Sequence, residues 1–316
     1  MEHTKRGVPA AAETGTGPFR IGVDIGGTAV KIGLTDSGCS LIASTSAPTG
    51  GEREAAEVLA DIGRRTRAFL EEQGLSPERC AGAGFGIPGV VDEASGTVAY
   101  SNNLRWRDVP AAEALSACLP MPIRIANDAD CAALGETVAG AGRGCRDVVL
   151  ITLGTGVGGG VVIGGRILSG SEPGHMVIVE DGERCTCGRR GCWEAYASAT
   201  ALRREAERAV GKSLAPEEIF AAAAEGDPAL QAVTAAYIRR LGLGIANLIN
   251  IFHPQILLVG GGLSQQGETL LAPVRELVRR ECFGGPRGGV PPIETAALGN
   301  RAGMIGAAAL LREGNP

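Results

Sequence analysis

The residues with the most specific chemistry lie together in the middle of the chain. His175 precedes the run Cys185-Thr186-Cys187-Gly188-Arg189-Arg190-Gly191-Cys192-Trp193-Glu194. Three thiolates and one imidazole are the donor set of a tetrahedral Zn²⁺. With all four positions filled by His175, Cys185, Cys187 and Cys192, none is left for an activated water, so the expected metal is structural. Gly188 and Gly191 should let the segment turn tightly enough for Cys187 and Cys192 to meet one ion; the plain alternative is three buried free cysteines. Glu172 and Glu194 flank the set. Taken singly each reads as a surface glutamate, but tethered to one metal they become neighbouring acceptors for the hydroxyls of a sugar.

Three glycine turns suggest a second chemistry. Converging backbone N–H groups make an anion-binding concavity, and glycine lets the backbone approach a phosphate with no Cβ in the way. Asp24-Ile25-Gly26-Gly27-Thr28, Gly154-Thr155-Gly156 and Gly260-Gly261-Gly262 qualify. Any one alone reads as a simple hairpin or strand-to-helix turn; together, in repeated surroundings, they point to a polyphosphate such as that of ATP. The first two lead into strands, so neither a P-loop nor a dinucleotide fingerprint describes them. Asp24 is either a turn-capping carboxylate or a ligand, through water, for the Mg²⁺ that accompanies ATP. Lys31 is either a surface lysine or a phosphate neighbour. Asp128 follows the apolar strand 123–126 and Asn127. It reads as a helix cap or as the carboxylate that orients an acceptor hydroxyl and takes its proton during phosphoryl transfer, for which no strong base is needed.

The elements that must position these residues alternate. Strands are expected over 19–25 and 30–34, forming a glycine-turned hairpin, then over 41–44, 81–87 and 123–126, with helices over 53–72 and 111–118. A second round begins about 130 residues later with 148–153, a glycine turn over 154–160 and a return strand over 161–163. Helices over 228–252, 270–280 and 302–311 and strands over 256–259 and 293–296 complete it. The pattern predicts an α/β protein with two duplicated halves, each a mixed sheet flanked by helices. Residues 1–18 have no apolar periodicity and read as a loose tail.

Composition limits the function classes. A chain of 316 residues with 44% hydrophobic and 21% charged residues is globular in kind, and its net charge of −5 gives no general attraction to nucleic acid or anionic lipid. Glycine is the outlier at 49 residues. No apolar run reaches the ~20 residues of a membrane helix and the start lacks a signal-peptide core, so a cytoplasmic protein without membrane contacts is expected. Cys39, Cys80, Cys118, Cys131, Cys145 and Cys282 are scattered and read as small buried hydrophobes.

From about Arg20 to Leu311 the sequence resembles the ROK family of sugar kinases and repressors, within the actin-like, ribonuclease-H-like ATPases. The marks are Asp24-x-Gly-Gly-Thr28, Gly86-Ile-Pro-Gly89, Asn103-Leu104, Asn127-Asp128, Gly154–Gly160, Glu172-x-Gly-His175, the Cys185–Glu194 segment, Gly260–Gly262 and Leu298-Gly-Asn300. The resemblance implies two ribonuclease-H-like domains with an ATP and sugar cleft between them: a small one over 19–127 with 299–316 and a large one over 128–298. It implies Asp128 as catalytic base; Gly89, Asn103, Asn127, Glu172, His175 and Glu194 as sugar ligands; ATP between the hairpins, with adenosine near Gly260–Gly262; and a homodimer or homotetramer. The implied activity is ATP-dependent hexose phosphorylation of the glucokinase kind, with N-acetylhexosamine kinase as the alternative and polyphosphate left open as donor. A family repressor would carry an N-terminal helix-turn-helix, for which the tail is too short. The loop Arg166–Ser171 is short for the family, Pro173 replaces an apolar residue and Arg301 an acidic one.

Overall fold

The computed structural model describes residues 19–312. They form two compact units, one of residues 19–144, 165–170 and 300–312, the other of 145–164 and 171–299. The tail read over 1–18 lies outside the described residues.

The first unit is built on a five-stranded mixed sheet, ordered Leu41–Pro48, Ala29–Thr35, Phe19–Ile25, Cys80–Ile87, Ile123–Asn127. The first three strands are antiparallel neighbours and the last two run parallel to Phe19–Ile25. Alternation of Ile21, Val23 and Ile25 against Val30, Ile32 and Leu34 puts both strands' apolar residues in the core. Helix Ala55–Glu72 packs through Val58, Leu59, Ile62, Thr66, Phe69 and Leu70, one stripe at helical spacing. A separate three-stranded antiparallel sheet, Val90–Asp92, Thr97–Ser101 and Trp106–Val109, was not anticipated. Its strands are too short for a periodic signal, yet it carries Gly89 at its entry and Asn103 between its last two strands.

Helix Asp128–Ala139 belongs with the first unit, whereas the sequence reading opens the large domain at residue 128. Packing explains the difference. The C-terminal helix Ala302–Ala309 lies against Asp128–Ala139 and across the strands, seated on glycines: a Cβ at Gly22 would strike the Met304 carbonyl, one at Gly84 the Ala307 carbonyl, and one at Gly306 the Cys131 carbonyl. Backbone cannot rotate aside as a side chain can. Gly84→Ala is therefore expected to cost about 3 kcal/mol, read as a lowered denaturant midpoint with unchanged slope.

The second unit's strands run Val157–Ile163, Val148–Leu153, Ile256–Gly260, Ile293–Thr295, antiparallel at the hairpin and parallel after it, the same order as in the first unit. The return strand begins at Val157, so Gly158, Gly159 and Gly160 lie within it instead of in the turn. Crowding accounts for this: a Cβ at Gly159 would meet the Leu150 carbonyl and Pro173. The 25-residue helix Pro228–Phe252 spans the core of this unit, where Leu241, Ile245 and Leu248 pack with Val149, Ile151 and Trp193. Helices Ala199–Val210 and Pro216–Ala224 were not anticipated. No helix among the described residues is long and apolar enough to cross a membrane.

Candidate functional site

In the first unit, Asp24 stands opposite Lys31 in the hairpin register, and Lys31 Nζ donates to Asp24 Oδ2 at 3.0 Å. The Asp24 side chain is 15% exposed, so this is a sheltered pair that still reaches solvent. The turn is closed by Gly26 N–H donating to the Ala29 carbonyl at 2.9 Å and by Thr49 Oγ1 donating to the Gly26 carbonyl at 2.6 Å. Gly27 and Thr28 are exposed at its tip, and Gly27 faces the exposed Asn103. Sequence reasoning missed Gly303: a Cβ there would stand 2.8 Å from the Asp24 carboxyl carbon, so its absence gives Asp24 room at the start of the last helix.

Asn127 and Asp128 sit where strand Ile123–Asn127 becomes a helix. Asn127 Oδ1 caps it, accepting from the Ala129 and Asp130 N–H groups at 2.8 and 3.2 Å, while Nδ2 donates to the Gly89 carbonyl at 2.9 Å. The amide read as a sugar ligand thus has mostly internal partners, which leaves one of its N–H donors for a ligand. Gly89 adopts φ +122°, and a Cβ there would collide with the Tyr100 carbonyl, so only glycine fits. Asp128 Oδ1 accepts from Ala129 N–H at 2.9 Å, and the helix N-terminus favours its charge. Burial pushes the Cys131 thiol well above its ordinary range, and the carboxylates of Asp130, Asp128 and Asp24 add to the rise. Gly86 stands opposite Asp24 in the parallel register, and a Cβ there would lie 3.4 Å from Asp128 Cα, so Asp24 and Asp128 share one neighbourhood.

In the second unit, His175, Cys185, Cys187 and Cys192 place their ligand atoms within 4.8 Å of one another. Cys187 and Cys192 Sγ are 3.6 Å apart, and Cys185 Sγ lies 3.6 Å from His175 Nδ1. At ordinary Zn–S lengths two thiolates on a tetrahedron stand roughly 3.8 Å apart, so the four residues fit Zn²⁺ in donor type, number and spacing. Gly191 turns left-handed at φ +77°, as the expected tight turn requires. Buried Trp193 anchors the segment, its Nε1 donating to the Arg240 carbonyl at 2.9 Å.

Glu194 joins this knuckle to the glycine turn. Its Oε2 accepts from Val157 N–H at 3.1 Å and its Oε1 from Thr186 Oγ1 at 2.8 Å. Thr186 was another residue with no sequence signal. A Cβ at Gly156 would overlap Glu194 Oε2, so Gly156→Ala should displace the carboxylate and lower stability by about 1–3 kcal/mol; thermal melting measures the loss. Glu172 is exposed as a residue, yet desolvation of its carboxyl raises its pKa, with Glu194 adding to the rise and His175 opposing it. Cys185 links the two glutamates, its Sγ 3.6 Å from Glu194 Oε1 and 3.6 Å from the Nδ1 of His175, whose backbone N–H donates to the Glu172 carbonyl at 3.0 Å. Beside them Ser171 Oγ is buried with no hydrogen-bond partner among the described residues. Gly261, at φ +82°, packs on the Leu153 backbone, which brings Gly260–Gly262 beside the Gly154–Gly156 turn.

Repeated mixed sheets, each opened by a glycine-turned hairpin, define a protein of the actin-like ATPase class, the fold of its structural neighbours. The chain belongs to the ROK family, whose model matches residues 20–314. The glucokinase of Streptomyces coelicolor is 36% identical over 318 residues, covering 94% of this chain and 98% of its own. The glucokinase of Thermotoga maritima is 36% identical over 313 residues, covering 93% and 97%. Among solved structures, a ROK family glucokinase from Streptomyces griseus in complex with glucose and AMPPNP matches with a TM-score of 0.76 at 35% identity, covering 94% of this chain and 100% of that one.

Proposed function

We propose that this chain transfers the γ-phosphoryl group of ATP to a hydroxyl of glucose, giving glucose 6-phosphate and ADP. The observation that carries the reading is nearly full-length likeness to glucokinases, one of them solved with glucose and AMPPNP. Asp128, at a strand end beside Asp24, supports it as the base.

In this reading Asp128 aligns the 6-hydroxyl and takes its proton as the O–P bond forms and the β–γ bridge breaks, a reaction that asks mainly for positioning. The residues assigned to the sugar are Gly89, Asn103, the remaining Asn127 N–H, Glu172, His175 and Glu194. The turns at Gly26–Thr28 and Gly154–Gly156 offer N–H groups to phosphate oxygens, Lys31 adds positive charge, and Gly260–Gly262 lies toward adenosine. Mg²⁺ typically binds through one or two carboxylates plus substrate phosphates, so the single sheltered Asp24 fits it, and the ion would neutralise phosphate charge there. Zn²⁺ on His175, Cys185, Cys187 and Cys192 would serve structure only, holding Glu194 and Glu172 in place.

The sugar preference follows from the short loop before Glu172 and the stiff residue after it, Pro173, which fixes φ and whose ring packs at Gly159. A carboxylate set to accept glucose hydroxyls rejects a partner that leaves it unpaired. With ATP fixed, kcat/KM is expected to be higher for glucose than for mannose and at least tenfold higher than for N-acetylglucosamine, measured by coupled ADP release. A clear preference for N-acetylglucosamine reverses the assignment of substrate; no turnover with any hexose overturns the kinase.

A further inference from the structure

On the second unit, Gly182, Glu183, Arg190, Tyr196, Glu205 and Arg240 line an open depression of about 370 Å³. None of them has a part in the reaction proposed above. The Arg240 guanidinium carbon sits 4.6 Å from the centre of the Tyr196 ring. Tyr196 is itself fixed, being buried and accepting Glu183 N–H on its hydroxyl at 2.6 Å. Arg190 Nη1 donates to the Gly182 carbonyl at 3.0 Å, which orients that side chain and leaves other N–H donors available.

The two carboxylates of the depression already have partners. Glu183 pairs with Arg208 at 2.8 Å; Glu205 pairs with Arg204 at 3.1 Å and Arg208 at 2.9 Å. No ion pair is formed by Arg190 or Arg240 among those of the described residues. Four arginines against two glutamates leave a local charge of +2, carried by the two guanidinium groups that face the cavity. A guanidinium held over an aromatic ring is restricted in position, and its planar fork of donors can bind an oxyanion bidentately. Glu183 and Glu205 at the same rim oppose an extended polyanion and can accept hydroxyls, so the site suits a small ligand.

We propose that this depression binds a small phosphorylated metabolite through its phosphoryl group, held by Arg240 and Arg190. None of its lining residues is among those assigned to the sugar or the nucleotide, and the proposal stands or falls independently of the kinase assignment.

Calorimetric titration of the full chain at constant ionic strength, with AMPPNP present, tests it using inorganic phosphate and glucose 6-phosphate as separate probes. One saturable site per chain is expected for at least one probe. Arg240→Gln and Arg190→Gln should each weaken it at least tenfold, while kcat/KM for glucose stays within twofold. Equal affinity for both probes means that free phosphate suffices; tighter glucose 6-phosphate means that the hydroxyls are read too. Arg190 is exposed, so Arg190→Gln keeps the test open if Arg240→Gln misfolds. Binding that is absent for both probes, or unchanged in the folded variants, overturns the proposal.

Discussion

Asp128→Asn is expected to lower kcat by about 10²- to 10⁴-fold, the range in which a positioned proton acceptor acts. Sugar and ATP affinities should change little. The substitution preserves shape, and the asparagine Oδ1 can still accept the Ala129 N–H that Asp128 Oδ1 accepts at 2.9 Å. The Asn127 cap and its hold on the Gly89 carbonyl also remain. What is lost is the capacity to take a proton, so kcat and kcat/KM should fall together. Single-turnover kinetics and equilibrium binding of glucose check the two halves separately. Near wild-type turnover in the variant would remove Asp128 from the chemistry.

Cys187→Ser should have the largest effect on stability. One zinc per chain is expected in the purified protein, and removal of a thiolate leaves three donors where the geometry provides four. Because metal affinity is also folding energy, a loss of at least about 3 kcal/mol is expected, or roughly 6–12 °C in the melting of the second unit. Activity should fall with it, since Glu194 is held by Thr186 within the same knuckle and by Val157 beside the glycine turn. Elemental analysis and melting curves decide the matter. Protein free of zinc, or a variant equally stable and active, would refute a structural metal.

These expectations rest on a sequence in which the His/Cys cluster and the glycine turns were legible for a physical reason. Thiolates and an imidazole at short spacing have few other uses, and a glycine pair between alternating apolar runs has few other conformations. Hairpin 19–35 and helix 228–252 could be placed because each has a clean period and a glycine or proline at its end, whereas the sequence reading starts the return strand after 148–153 at 161 instead of Val157 because glycines open it. Gly303, Thr186 and Ser171 could not. Their importance arises where distant segments meet, at the Asp24 carboxylate, at Glu194 and beside Glu172, and one-dimensional spacing carries no trace of such meetings. The same cause places helix Asp128–Ala139 in the first unit: a helix cap at Asp128 says where a helix starts, but the glycine seats under Ala302–Ala309 decide its neighbours. Asn127 shows the converse, a residue singled out as a sugar ligand whose amide is largely occupied as a helix cap.

The glycine-seated last helix also bears on how the chain is made. Residues 145–164 and 171–299 all leave the ribosome before Ala302 does, so the second unit can fold while the first still lacks a layer. Gly22 and Gly84 then present bare backbone and the surrounding sheet face to water for the time needed to synthesise that stretch, on the order of ten seconds or more at 5–20 residues per second. The half of the protein that is translated first is therefore the half that closes last, and its unfinished face is the one that chaperones would meet on the nascent chain.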